Sequence, residues 1–358
     1  MSEKFDKILE IALEKNASDI HLKPWVPPVI RVLGDIIFLD EEPLTHEEIR
    51  DVAYSLIRPS FIKIFEETGE LDFAYEKDGK VRLRGNAYLQ RGSIAISLRL
   101  IPLEIPSIEE LSLPPVLKTL AEKRSGLILV TGPAGCGKST TLAAMIEYIN
   151  SNFSLKIITI EDPIEFVFLD KKSLITQREI GIDTKSYNSA LKMALREDPN
   201  VIMVGELRDL ETISVALQAA ETGHLVLSTI HTTDAVTTIE RIIDSFPPHQ
   251  QNQVRLQLSN VLQGIISQRL LKRKDRKSLI PACEILLGNL SVKKLIREQK
   301  TYEIPRVMQE SKIEGMQTFN QHLLELYRKN LIDDKEALLA SPNPSDLSLL
   351  IKGITPGL

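Results

Sequence analysis

Nine consecutive residues offer the most explicit chemistry in the chain: "GPAGCGKST", positions 132–140. Gly132, Gly137, Lys138 and Ser139 stand at the four fixed places of the pattern G-x-x-x-x-G-K-[ST], directly after the apolar run "GLILV" and before a helical stretch. Glycines at Gly132, Gly135 and Gly137 let backbone N–H groups close around phosphate oxygens, with Pro133, Ala134 and Cys136 between them and Thr140 following. A helix that begins at Lys138 adds the positive end of its dipole, the Lys138 ammonium reaches the outer phosphates, and the Ser139 hydroxyl suits Mg²⁺. The ligand this segment calls for is a nucleoside triphosphate.

A phosphate cradle serves kinases, switches and motors alike, so the acids at neighbouring strand ends have to separate them. "KIITIEDPIEF" supplies Glu161, Asp162 and, beyond a proline, Glu165; "NVIMVGELRD" supplies Glu206 after an apolar run. Ligands of open α/β sheets bind outside the carboxyl ends of the strands, where all four acids fall. A carboxylate there can complete a Mg²⁺ shell or deprotonate a water attacking a γ-phosphate. His224 and His231 flank a further strand in "TGHLVLSTIHT". Seven extended residues span roughly 23 Å, so the two cannot share one metal ion. His231, at the carboxyl end, suits a phosphate-sensing role, whereas His224 falls at the opposite end unless the strand is short.

The elements that must position these groups read as follows. From 126 onward, short continuous apolar runs alternate with helical patterns, the signature of a parallel sheet covered on both faces. Residues 1–100 read as a smaller α/β unit: a first helix, short strands at "DIHLK" and "PPVIRVLGDI", helices near 45–67, and the alternating stretch "KVRLRGNAYLQRGSIAISLRL". Four prolines in the fifteen residues 101–115 mark a linker, which leaves 116–358 as the second domain. Its last part, from about 233, reads as mostly helical and bundle-like. With 358 residues, a net charge of −5 and two cysteines, Cys136 and Cys283, the chain has room for two cores, no general basic bias toward nucleic acid, and too few thiols for a disulfide framework or a zinc ribbon. Its first residues mix charge into an amphipathic pattern and resemble neither a signal peptide nor a membrane span, so a cytoplasmic chain is expected.

Taken together, four segments resemble the secretion ATPases of type II secretion and type IV pili, and within them the pilus-retraction branch: the glycine loop, "TIEDPIEF" as an aspartate box, "ALREDPNVIMVGELRDLETI" as a Walker B region and "TGHLVLSTIHT" as a histidine box. The likeness covers nearly the whole chain. It implies an N-terminal PAS-like domain, a RecA-like ATPase domain with C-terminal helices, ATP and Mg²⁺ as ligands, and a homohexameric ring. It further implies Glu165 as general base, Glu206 as the Walker B carboxylate near the metal, His231 beside the phosphates, and Glu161 and His224 among the nucleotide-binding residues. Arg84 in "VRLRGNAY" and Arg99 in "ISLRLIP" match arginines that reach a neighbour's nucleotide. A guanidinium is suited to that task because its charge is permanent and its fork is rigid.

Three departures carry expectations of their own. Cys136 puts a thiol in the cradle, which would make activity sensitive to oxidation. Phe168 stands where retraction motors often carry histidine. "LSVKKLIREQK", 290–300, resembles a retraction motif but has Lys293 and Lys294 in place of an Arg-Asn pair, with Val292, Leu295 and Ile296 as its apolar face. Because the chain lacks the paired CxxC zinc region of assembly members, the expected activity is pilus retraction through an inner-membrane platform protein, at the cytoplasmic base of the machine. An assembly or secretion ATPase of the same family and a small-molecule kinase are the rival readings.

Overall fold

A computed structural model describes residues 3–32, 34–77, 81–101, 104–275 and 278–354. The chain divides into two compact units, Met1–Glu104 and Ile105–Leu358. Both are mixed α/β.

The first unit runs α1 (Glu3–Glu14), β1 (Asp19–Leu22), β2 (Val29–Val32), β3 (Asp35–Phe38), α2 (His46–Leu56), α3 (Pro59–Thr68), β4 (Glu70–Lys77), β5 (Val81–Gln90) and β6 (Ser93–Ile101). Its strands form an antiparallel sheet in the order β3-β2-β1-β6-β5-β4. Period-2 alternation sends Ile20, Leu22, Leu83, Ala87, Ile96 and Leu98 to one face, where they pack with Phe5, Ile8, Ile49 and Val52 of α1 and α2. Asp19, His21, Arg84, Asn86, Ser97 and Arg99 alternate onto the other face. Strand β4, in "ELDFAYEK", was not expected from the sequence; its charged, mixed pattern is that of an edge strand.

The second unit holds α4 (Val116–Ala121), β7 (Gly126–Thr131), α5 (Lys138–Asn152), β8 (Lys156–Glu161), β9 (Leu174–Glu179), α6 (Tyr187–Ala194), β10 (Val201–Val204), α7 (Leu210–Glu221), β11 (Leu225–Ile230), α8 (Ala235–Asp244) and α9 (Pro248–Val261). It continues with β12 (Leu262–Lys272), β13 (Leu279–Leu287), α10 (Leu290–Arg297), α11 (Ile304–Glu310), α12 (Phe319–Arg328), α13 (Asp334–Ala340) and α14 (Pro344–Ile351). The sheet order is β13-β12-β7-β11-β10-β8-β9, parallel except for the antiparallel edge strand β13. Every residue of β7, β10 and β11 is buried, as continuous apolar runs require when helices cover both faces. One face is packed by α6–α9 and the other by α4 and α5.

One expectation needs correction. The segment after 233 is not a helical bundle throughout, because the long hairpin β12–β13 interrupts it and extends the sheet. Leu262, Ile265, Ile266, Leu270 and Leu271 satisfy helical spacing on paper, but a strand wins because β12 lies between two other strands and buries side chains on both faces. A small third core then joins β12 and β13 to α12–α14 through Leu271, Ile280, Phe319, Leu323 and Leu347. In α10, Val292 and Ile296 are fully buried in the main core and Leu295 packs on it. Among the described residues no helix is long and apolar enough to cross a membrane.

Candidate active site

The glycine loop leaves the carboxyl end of β7 and enters α5 with Gly132, Gly135 and Gly137 all at positive φ, +143°, +74° and +87°. At Gly132 a Cβ would lie 2.4 Å from the Gln268 carbonyl oxygen and 2.5 Å from Cys136 Sγ, so no side chain fits. Helices α6, α7, α8 and α10 each begin with a Ser, Asp or Asn side chain accepting from an early amide, whereas α5 begins at Gly137 with no side-chain cap. Its first amides therefore keep their donors for an anion, which matches a phosphate in charge and geometry. Lys138 is buried and its ammonium donates to the carbonyls of Gly132 and Pro133, both at 3.0 Å. Beneath the loop, buried Gln268 of β12 donates from Nε2 to the Cys136 carbonyl and accepts the Thr141 hydroxyl at 2.8 Å. The Cys136 thiol is itself buried, and burial pushes its pKa up, so the expected reactive thiolate is not what this site provides.

Facing the cradle, the ends of β8, β10 and β11 bring the acids into one cavity with Ala134, Gly135, Lys138 and Ser139. Thr229 of β11 donates to the Gly205 carbonyl at 2.6 Å and Ser228 to that of Val204 at 2.6 Å, which fixes the strand end from which Glu206 projects. Glu206 is clamped: Oε2 accepts from Arg208 Nε at 2.7 Å and Oε1 lies 3.4 Å from His231 Nε2. His231 Nδ1 is 3.4 Å from the Lys138 ammonium, which has only donors, so Nδ1 accepts and the ring proton sits on Nε2 toward Glu206. Glu165 also lines the cavity but is exposed, and it has no ion pair or side-chain hydrogen bond among the described residues.

Glu161 behaves differently from its neighbours. It is 6% exposed, and its Oε1 accepts from Thr159 at 2.6 Å and from Gln177 Nε2 at 3.1 Å. Burial raises its pKa to about 7, against the pull of those two hydrogen bonds. Gln177 also donates to the Phe166 carbonyl and accepts from the Phe168 amide, so it holds the aspartate box in shape. Phe168 is buried in the cavity wall, an apolar contact surface where a histidine would have offered a polar one. Tyr187, at the start of α6, completes the wall; its hydroxyl lies 2.9 Å from where a Cβ on Gly205 would stand. Burial and the nearby Asp162, Glu206 and Glu161 carboxylates push its pKa up, so it stays a hydroxyl donor.

The structure thus gathers Lys138, Ser139, Glu161, Asp162, Glu165, Glu206 and His231 around one cavity. His224 is not among them. It sits before the amino end of β11, with Nδ1 3.0 Å from the Ala219 carbonyl at the end of α7, because β11 is a full strand and holds the two histidines at opposite ends. Arg84 and Arg99 belong to the first unit, paired across β5 and β6. Tyr187, Gln177, Arg208 and Gln268 were missed, since each acts through partners distant in sequence or carries no motif. The Tyr187 signal available was only an aromatic after a Ser cap.

Comparison with known proteins agrees with this geometry. A sequence model of the type II/IV secretion system protein family matches residues 1–330. The chain is 44% identical over 331 residues to the type IV pilus retraction ATPase PilT of Pseudomonas aeruginosa, covering 92% of this chain and 96% of that one. It is 46% identical over 321 residues to a twitching motility protein of Neisseria gonorrhoeae, covering 90% and 86%. A crystal structure of the pilus retraction motor PilT with bound ADP superimposes with a TM-score of 0.90 at 50% identity, covering 96% of this chain and 98% of that one. With a glycine loop, a strand-end glutamate and a histidine meeting in one cavity at the end of a RecA-like sheet, and a family match over most of its length, the chain belongs to the type II/IV secretion system protein family.

Proposed function

We propose that this chain is an ATPase that, as a homohexamer, powers type IV pilus retraction, drawing pilin through an inner-membrane platform protein from the cytoplasmic side. The observation that carries the reading is the presence of two unlike carboxylates in the cradle's cavity, Glu206 clamped by Arg208 and facing His231, and Glu165 without an ion pair among the described residues. Glu165 is free to take the proton of a water attacking the γ-phosphorus, while Lys138 neutralises charge on the phosphate oxygens. Glu206 orients through its partners and passes the state of the phosphates to His231. Among the described residues no group of three or more His, Cys, Asp or Glu side chains is placed to hold a metal. Ser139 and Glu206, both in the cavity lining, would hold Mg²⁺, and the ion would supply neutralisation of phosphate charge. Arg84 and Arg99 complete the site of a neighbouring subunit.

Two experiments test the reading. Lys138→Ala and Arg99→Ala are each expected to lose most of their ATP turnover, and a mixture of the two to regain it, because an intact site forms where one protein's cradle meets the other's arginine. Mixed oligomers that form and stay inactive would refute the shared site. In the host, loss of the gene should leave cells piliated but unable to retract; bald cells would instead mean assembly, and phosphate release that required an added acceptor would mean a kinase.

A further inference from the structure

Strand register places four charged residues in one row across the polar face of the first unit's sheet: Arg31 of β2 beside Asp19 of β1, Asp19 beside Arg99 of β6, and Arg99 beside Arg84 of β5. Adjacent strands lie about 4.8 Å apart, so three guanidinium groups and one carboxylate share a strip of roughly 15 Å. Three permanent positive charges in that space repel, and the single carboxylate between two of them sets how they are arranged.

Asp19 is 8% exposed and uses both oxygens. Oδ1 accepts from Arg99 Nε at 3.0 Å. Oδ2 accepts the Ser18 hydroxyl at 2.8 Å and faces Arg31 Nε at 3.8 Å, while Arg31 itself is fastened by Nη1 to the Gly34 carbonyl at 2.7 Å. Arg99 is thus gripped at the Nε edge of its guanidinium. Its side chain remains 62% exposed, and the two Nη groups, the half of the fork that meets a phosphate, have no partner among the described residues. Arg84, next in the row, is exposed and has no ion pair among the described residues.

We infer that Asp19 is a positioning residue for ATP hydrolysis: it fixes Arg99 by its Nε edge so that the free Nη pair is presented, ready oriented, to the phosphates, with Arg84 beside it as the second cation. The inference rests on the shared-site reading above and adds the residue that sets the arginine's geometry. An arginine on a flexible stem must surrender rotamer freedom to meet a transition state; one already held by a buried carboxylate has surrendered it on folding. Removing Asp19 leaves the charge of Arg99 in place and removes its orientation, so the loss falls on kcat rather than on KM for ATP.

The test is a double-mutant cycle on the full chain, read by steady-state phosphate release with thermal unfolding as the check on folding. Arg99→Ala should lower kcat at least about tenfold. Asp19→Asn should lower it about three- to tenfold at nearly unchanged KM, Asp19→Glu by less, and Asp19→Asn combined with Arg99→Ala should be no slower than Arg99→Ala alone. A loss merely caused by local disorder would instead multiply in the double variant. If Arg99→Ala is impaired while Asp19→Asn turns over like the parent, or the two losses multiply, the inference is overturned and the shared site stands. If Arg99→Ala keeps full kcat, the shared-site reading falls and this inference falls with it.

Discussion

The two sheets of this protein expose their chemistry in different ways. In the second unit helices cover both faces, every residue of β7, β10 and β11 is buried, and functional side chains emerge only where strands end. In the first unit one face packs on α1 and α2, and charged and polar side chains stand on the other, in the middle of strands. A doubly covered sheet gathers groups from distant parts of the chain into one cleft, which suits bond-breaking. A singly covered sheet spreads its groups in rows, which suits presenting charge to something outside its own unit.

Substitutions can break or sharpen that contrast. The largest effect belongs to the strand-end cleft: Lys138→Ala should reduce phosphate release on the order of a thousandfold, because the charge facing the phosphates is lost. Turnover above a tenth of the parent would place the chemistry elsewhere. On the open face, Arg84→Ala should lower kcat on the order of a hundredfold with unfolding temperature unchanged, since its side chain supports no ion pair among the described residues. Full activity in that variant would reduce the row to a solvated surface.

The third prediction concerns stability in the covered unit. Glu161 has a folded pKa of about 7 against an ordinary 4.5, so folding favours its neutral form. The stability it contributes is complete below pH 4.5 and is lost as pH rises through 7, a loss on the order of 3 kcal/mol by pH 8. Glu161→Gln removes that loss, so denaturant midpoints of variant and parent, compared at pH 5 and pH 8, should shift in favour of the variant at the higher pH. Glu284, also raised to about 7 by burial, contributes the same slope to both proteins and cancels in the difference. An unchanged difference would mean that Glu161 is hydrated in solution. The smallest effect is Tyr187→Phe: losing one neutral donor from the cleft wall should lower kcat about two- to fivefold, measured as phosphate release, and a larger fall would give the hydroxyl a direct part in the reaction.

How much of this the sequence disclosed depended on how local each cause is. The cradle was legible because its glycines, lysine and serine act within nine residues. Glu206 and His231 were legible as strand-end groups. The clamp between them was not, because Arg208 sits in a loop without regular period and the contact needs β10 and β11 to be neighbours. Glu161 looked like one more cleft acid until the edge strand β9 delivered Gln177 to cover it. Hairpin β12–β13 hid behind helical spacing. The link between Asp19 and Arg99, eighty residues apart, exists only through the register of β1 on β6.

Gln268 has a mechanical consequence. One buried amide joins the backbone of the phosphate loop and the first turn of α5 to β12. β12 is paired along its length with β13, and the Cys283 amide of β13 donates to His322 Nδ1 of α12 at 2.8 Å. Burial drives the His322 pKa down to about 4, so this acceptor keeps its lone pair at any working pH. Loop, hairpin and α12 are thus joined by consecutive buried hydrogen bonds, a linkage through which a displacement of a few tenths of an ångström at the loop would reach α12 with little slack to absorb it.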